Sequence, residues 1–210
     1  MGLTGSGKSS ALKVGHDIQS CTDTVDEAPS FELEGRTVRL FDTPGFDDSN
    51  KSESEILRII AFELENQFRQ GVHLHGIIYV HRISDVRVGG LAKANFGIFR
   101  KLCGEKSLRN VVIVTNMWSK VTEEEGEKRV EQLTSMENFF KDALEKGATM
   151  MHQKRDTAKS VRKIVKAILK NHPEPLAIQE ELVTESKGID QTSAGQEVDR
   201  RVAAVMEELD

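Results

Sequence analysis

Cysteine is scarce in this chain: Cys21 and Cys103 are the only two in 210 residues. Two thiols in a chain of this length make no disulfide framework, and their scarcity fits a reducing, cytoplasmic setting. No apolar run approaches the ~20 residues that a membrane-spanning helix needs, and no secretory leader is visible, so no transmembrane segment is expected. Basic clusters are missing as well. The chain carries 29 Lys and Arg against 34 Asp and Glu, a net charge of −5. That balance, with no basic block, disfavours nucleic acid and anionic membrane surfaces as partners. There is no internal repeat and no low-complexity tract. The length suits one α/β domain with a short extension.

The informative residues stand at the beginning. Gly2-Leu-Thr-Gly-Ser-Gly-Lys-Ser9 matches G-x-x-x-x-G-K-[ST], the phosphate-binding loop. A triphosphate is polyanionic and needs several donors at once. Gly2, Gly5 and Gly7 allow backbone conformations that a Cβ would block, so successive N–H groups can turn inward. Lys8 adds a point charge between the outer phosphates, and the Ser9 hydroxyl can ligate Mg²⁺. A helix beginning near Lys8 adds its N-terminal partial charge. A hydrophobic strand normally feeds such a loop, yet only Met1 stands ahead of Gly2. The expected domain therefore lacks its first, central strand.

Along the chain, Ser9 to Val14 reads as a helix and residues 16–30 as a long polar loop. Phe31 to Phe41 alternates apolar and polar residues on both sides of Glu34-Gly35, which predicts a hairpin. Ser52 to Gln70 is helical, with Ile56, Ile60, Leu64 and Phe68 at four-residue spacing. Gly76–Val80 and Val111–Val114 are short apolar strands suited to burial on both faces. A helix over Leu91–Leu102 closes at Gly104. Residues 122–146 are helical with a break near Ser135, and Ala148–Met151 predicts a last strand. Val161, Ile164, Val165, Ile168 and Leu169 form one apolar helical stripe, and Val198, Val202, Val205, Met206 and Leu209 form another. This second stripe is expected to pack on the domain, with docking of a partner chain as the alternative. Alternating strands and helices give an α/β class with a mainly parallel sheet. The 31–41 hairpin adds an antiparallel edge.

Asp42-Thr-Pro-Gly45 follows a strand, 34 residues after Lys8. An acid in this position of a phosphate-loop NTPase holds Mg²⁺, and the Gly45 N–H can sense the γ-phosphate. The 16–30 loop lies where a γ-phosphate-sensing switch belongs. Its Thr22, preferred over Thr24, can complete the metal shell.

Taken together, Gly2–Ser9, Ser20-Cys-Thr22, Asp42-Thr-Pro-Gly-Phe46 and Ile78-Tyr-Val-His-Arg-Ile-Ser-Asp-Val-Arg-Val88 resemble a GTPase domain. The resemblance is to the group of septins, GIMAP-type immunity-associated GTPases and chloroplast Toc receptors. More narrowly, the chain resembles fungal G domain-containing proteins of that type. It covers about residues 1–172 and leaves 173–210 as a helical C-terminal extension. It implies a three-layer G-domain fold, GTP/GDP and Mg²⁺, slow intrinsic hydrolysis, and homodimerisation across the nucleotide face. Effector proteins are further partners of such domains.

By position, Gly2, Thr4, Gly5, Ser6, Gly7, Lys8, Ser9, Ser10 and Asn116 would bind nucleotide. Ser9, Thr22 and Asp42 would bind metal, and Thr22, Gly45 and Arg87 would serve hydrolysis. Arg87 matches the Toc arginine that reaches a partner's nucleotide. The chain departs from the group at Thr115-Asn-Met-Trp118, where an acid normally reads guanine, and at Phe46, where some GTPases place a water-orienting Gln. The expected function is GTP binding and hydrolysis. The rival readings are an ATPase of the same fold, suggested by Trp118, and a weakly hydrolysing nucleotide-binding scaffold.

Overall fold

The computed structural model describes residues 1–8, 24–46, 50–86, 88–137, 139–155 and 157–207. Its centre is a parallel sheet of β5 (Ile77–Arg82), β6 (Val111–Asn116) and β7 (Thr149–His152), in that order. Ile77 lies opposite Val111, and Val112 opposite Thr149. Residues alternate across this sheet, and each face has its own helices. Ile77, Tyr79, Val111 and Ile113 face α1 (Glu53–Arg69), α2 (Gly90–Cys103) and α4 (Phe140–Glu145). Ile78, Val112, Val114 and Met151 face Ile164 and Ile168 of α5 (Ala158–Ile168). The result is a three-layer α/β domain, as the alternation in sequence predicts.

Two of the helices carry a reciprocal start signal. Ser52 caps α1 by accepting from the Glu55 N–H (3.2 Å), while the Glu55 carboxylate takes the Ser52 N–H (2.7 Å). Thr122 and Glu125 repeat that box on α3 (Glu123–Ser135). This reciprocal bonding satisfies donors that a helix start leaves orphaned. The break near Ser135 separates α3 from α4.

β2 (Phe31–Leu33) and β3 (Arg36–Val38) form the expected hairpin, but as a two-stranded sheet of their own and not as an antiparallel edge of the parallel sheet. Glu34 and Gly35 turn it with φ of 51° and 72°, the pair of positive angles that suits the right-handed twist of the strands. Phe31, Leu33, Val38 and Leu40 then rest on Val161 and Val165 of α5. A pairing absent from the sequence reading joins β1 (Asp26–Glu27) to β4 (Phe41–Asp42). It falls within the polar 16–30 stretch, which has no apolar period to announce a strand.

The C-terminal segment contributes to the same core. The turn α6 (Ala177–Gln179) follows Pro175, and α7 (Ser193–Glu207) lies against α2 and α1. Leu176, Ile178, Leu182, Ala194 and Val198 are all buried with the central aromatic residues. Beyond Val198 the stripe emerges, leaving Val202, Val205 and Met206 exposed. No helix of the described residues is long and apolar enough to cross a membrane.

Candidate nucleotide site

The glycine-rich loop is anchored on β5. The Met1 nitrogen donates to the Ile78 carbonyl (2.7 Å), the Val80 N–H donates to the Met1 carbonyl (2.9 Å), and Gly2 bridges Val80 in parallel. The loop then leaves the ladder at the C-terminal end of the strands, the face on which open α/β sheets bind ligands. Gly2, Gly5 and Gly7 adopt φ of 138°, 67° and 81°, which other L-residues rarely adopt. Space is equally restrictive. A Cβ on Gly2 would lie 2.4 Å from the Val80 carbonyl oxygen, and one on Gly7 would lie 2.7 Å from Asn116 Nδ2. The Ser6 N–H closes a turn on the Leu3 carbonyl (3.1 Å), and buried Lys8 donates through Nζ to that same oxygen (2.8 Å).

Two segments distant in sequence meet this loop. Gly45, three residues after β4, packs so closely that a Cβ there would sit 2.5 Å from the Thr4 nitrogen. Asp42 is buried at the end of β4, where its Oδ1 accepts from the Thr43 N–H (3.0 Å). From the other side, Asn116 at the end of β6 donates through Nδ2 to the Ser6 carbonyl (2.5 Å). The structure thus brings Gly2, Thr4, Gly5, Ser6, Gly7, Lys8, Asp42, Gly45 and Asn116 together. Ser9, Ser10, Thr22 and Arg87 lie outside the described residues, as does the expected first helix.

Ser6 Oγ, Thr43 Oγ1 and Asn116 Oδ1 are buried without a hydrogen-bond partner. Buried polar atoms are ordinarily satisfied, so three orphans around one loop suit a polar ligand. Among the described residues, no three His, Cys, Asp or Glu gather as a metal set. Mg²⁺ needs no such set, since it is commonly held through one or two carboxylates together with phosphates and water. Asp42 beside the loop fits that donor pattern.

On sequence, Arg82 shares its ligand-facing strand end with Arg87, the arginine preferred there, and its Nη1 lies 3.5 Å from where a Cβ on Gly5 would be. Asp85 holds the guanidinium through Nε at 3.0 Å. Its place at a strand C-terminus is the sequence signal that points to it, as it does to Arg87. His81 instead turns into the core, edge-on to Phe139 and Phe140. Burial pushes its pKa down to about 4, against a smaller raising effect of Asp85.

Trp118 also turns away from the loop. Its Nε1 donates to Thr115 Oγ1 (3.1 Å), His152 meets its ring edge-on, and Lys154 lies 4.9 Å over it. The indole packs on Gly126 of α3, where a Cβ would come within 2.5 Å. Met117, in the left-handed region at φ 58°, stays near Gly7: its methyl carbon is 3.9 Å from that residue's Cβ position. Thr115 Oγ1 is shared with His152 Nδ1 at 2.8 Å. The stretch that the sequence offers for the base is therefore split, with Asn116 and Met117 toward the loop and Trp118 toward α3.

No known protein-family signature matches the chain, and no curated protein matches it. Solved structures do. Toc33 from Arabidopsis thaliana superposes with a TM-score of 0.58 in its complex with GDP and Mg²⁺ and 0.59 in its complex with Mg²⁺ and GMPPNP. A dimerization-deficient Toc33 mutant gives 0.58. Each likeness has 18% sequence identity and covers 80% of both chains. The fold is that of a Toc-type G domain.

Proposed function

We propose that this G-domain fold binds GTP and GDP with Mg²⁺ and hydrolyses GTP. One observation carries the reading. The glycine-rich loop has three positive-φ glycines and is held between Gly45 and Asn116, with unpartnered buried polar atoms around it. The nucleotide and Mg²⁺ in the solved Toc33 complexes support the same choice of ligands. The amides of Gly5 to Lys8 and the Lys8 ammonium would hold the phosphates. Asp42, with the hydroxyls of Ser9 and Thr22, would hold Mg²⁺. The metal supplies neutralisation of phosphate charge. The protein's own part is positioning: Gly45, already against Thr4, offers its N–H where a γ-phosphate would end. Water attacks that phosphate in line, and Thr22 orients it in place of the Gln that Phe46 replaces. Arg82, beside Gly5, borders the phosphate side, but its charge is held by Asp85. The buried free thiol of Cys103 supports a reducing, cytoplasmic setting.

The ATPase alternative was motivated by Trp118. With that indole buried against Gly126, it does not oppose a guanine, and Asn116 and Met117 remain to border the base. Lacking an acid for the guanine edge, the site should prefer GTP by less than the ~10⁴-fold that a buried hydrogen-bonded pair can give. Calorimetry tests both statements. GTP should bind tighter than ATP, and Lys8→Ala should abolish binding of either while circular dichroism stays unchanged. Unaltered GTP affinity in Lys8→Ala would overturn the phosphate assignment, and tighter ATP binding would overturn the base assignment.

A further inference from the structure

The chain turns directly after β5, and the anchors of that turn come from two other elements. Ile83 is buried, and both of its backbone groups are bound. Its N–H donates to the Asn116 carbonyl at the end of β6 (3.0 Å), and its carbonyl accepts from Nη1 of Arg129 on α3 (2.9 Å). Within the turn, the Asp85 N–H donates to the Arg82 carbonyl (3.3 Å), and Ser84 Oγ donates to Met117 Sδ (3.8 Å). The turn thus borders the glycine-rich loop twice. The Arg82–Asp85 pair lies beside Gly5, and Met117, on which Ser84 rests, lies near Gly7.

Arg129 is not drawn to Ile83 by its own helix. Helical spacing offers it Glu125, four residues earlier, as an ion-pair partner. That carboxylate instead takes the Thr122 N–H (3.1 Å) and hydroxyl (3.2 Å). The half-buried guanidinium goes to a main-chain carbonyl 46 residues away in sequence. A charged donor makes such a bond stronger than a neutral one. Gly126, three residues before Arg129 and on the same helix face, packs on Trp118. One face of α3 therefore braces the ends of both β5 and β6 on the nucleotide side of the sheet.

We propose that Arg129 is a positioning residue for phosphoryl transfer. It touches neither phosphate nor base. It fixes the turn after β5, and through that turn it keeps the Arg82–Asp85 pair against Gly5 and Met117 against Gly7. Without its bond the Ile83 carbonyl loses its partner, and the turn can draw back from the loop. Ground-state binding, carried by the amides of Gly5 to Lys8 and the Lys8 ammonium, then survives. The rate does not, because a reacting phosphate displaced by a fraction of an ångström is out of line. This role rests on the GTP reading.

The test compares the full chain with three variants at one fixed protein concentration. Arg129→Ala removes the donor, Arg129→Lys keeps a charged one, and Thr122→Ala removes the α3 cap without touching Ile83. Turnover of GTP by the wild type judges the GTP reading by itself. Against that rate, Arg129→Ala should lower kcat at least ~10-fold while KM for GTP stays within about twofold. In the nucleotide-free protein it should also speed amide exchange at Ile83 and Asp85 about 10-fold. Arg129→Lys should recover most of both. Thr122→Ala should lower the melting temperature yet leave kcat and the exchange at Ile83 and Asp85 as in the wild type. An unchanged kcat in Arg129→Ala would overturn the role. So would an equal loss in Thr122→Ala, or no recovery in Arg129→Lys, either of which reduces Arg129 to general support of the fold. A wild type that turns over no GTP would overturn the reading itself, and this role with it.

Discussion

His81 shows how strongly a single position in this core is committed. It stands on β5 one residue from Arg82, which borders the glycine-rich loop, yet its ring is buried edge-on to both Phe139 and Phe140. In an unfolded chain an imidazole protonates near pH 6.5; here burial lowers that to about 4. The folded state holds the neutral ring, and the unfolded state binds the extra proton in between. Stability from this residue is therefore intact above pH 6.5, falls as the pH drops toward 4, and levels off below. A gap of that size corresponds to about 3 kcal/mol. Denaturant midpoints from pH 7 to pH 4 should fall steeply in the wild type and less steeply in His81→Gln. Parallel curves for the two proteins would show that His81 is not the group responsible.

At the scale of elements, Gly126 and Trp118 are the instructive pair. A glycine inside a helix ordinarily costs about 1 kcal/mol relative to alanine, so Gly126→Ala should stabilise α3 on propensity alone. The indole of Trp118 reverses the expectation, since the new Cβ would lie 2.5 Å from its ring. Overpacking of that kind costs about 1–3 kcal/mol, and Gly126→Ala should lower the melting temperature. An unchanged or higher melting temperature would show that the ring shifts freely. The same pair marks the limit of what could be read from the sequence. Helices α1, α2 and α5 and strands β5 and β6 were legible from an apolar period, an apolar run or a closing glycine such as Gly104, and α3 from a charged stretch that breaks near Ser135. The glycine-rich loop and Asp42-Thr-Pro-Gly45 were legible because their chemistry lies in local spacing. The orientation of Trp118 was not, because it is decided by a missing Cβ eight residues away. The β1–β4 pair and Arg82's place beside Gly5 depend likewise on contacts between distant segments.

Taken whole, the domain ties its C-terminal helix to the elements around the site. Arg201 of α7 donates through Nη1 to Glu53 at the start of α1 (2.6 Å) and to Asn95 of α2 (3.1 Å). Glu53 comes eight residues after Gly45, so the segment that packs on the glycine-rich loop leads in sequence into the helix that holds α7. Within one such molecule, hydrolysis is poorly equipped. Phe46 is buried and cannot orient water, and Arg82 is paired with Asp85. We therefore expect turnover to need a second copy across the nucleotide face, with Arg87, outside the described residues, reaching the partner's phosphates. An arginine supplied in trans can raise phosphoryl transfer by ~10³-fold or more, because it meets charge that develops in the transition state. GTP hydrolysis per protomer should then climb with protein concentration as dimers form. Arg87→Ala should abolish the climb while GTP affinity, measured by calorimetry, stays within about twofold, since an interaction made only in the transition state leaves ground-state binding alone. A loss of affinity along with rate would indicate a misfolded site. A rate per protomer that is flat across the series, and equal in wild type and Arg87→Ala, would refute the paired mechanism and leave a nucleotide-binding scaffold.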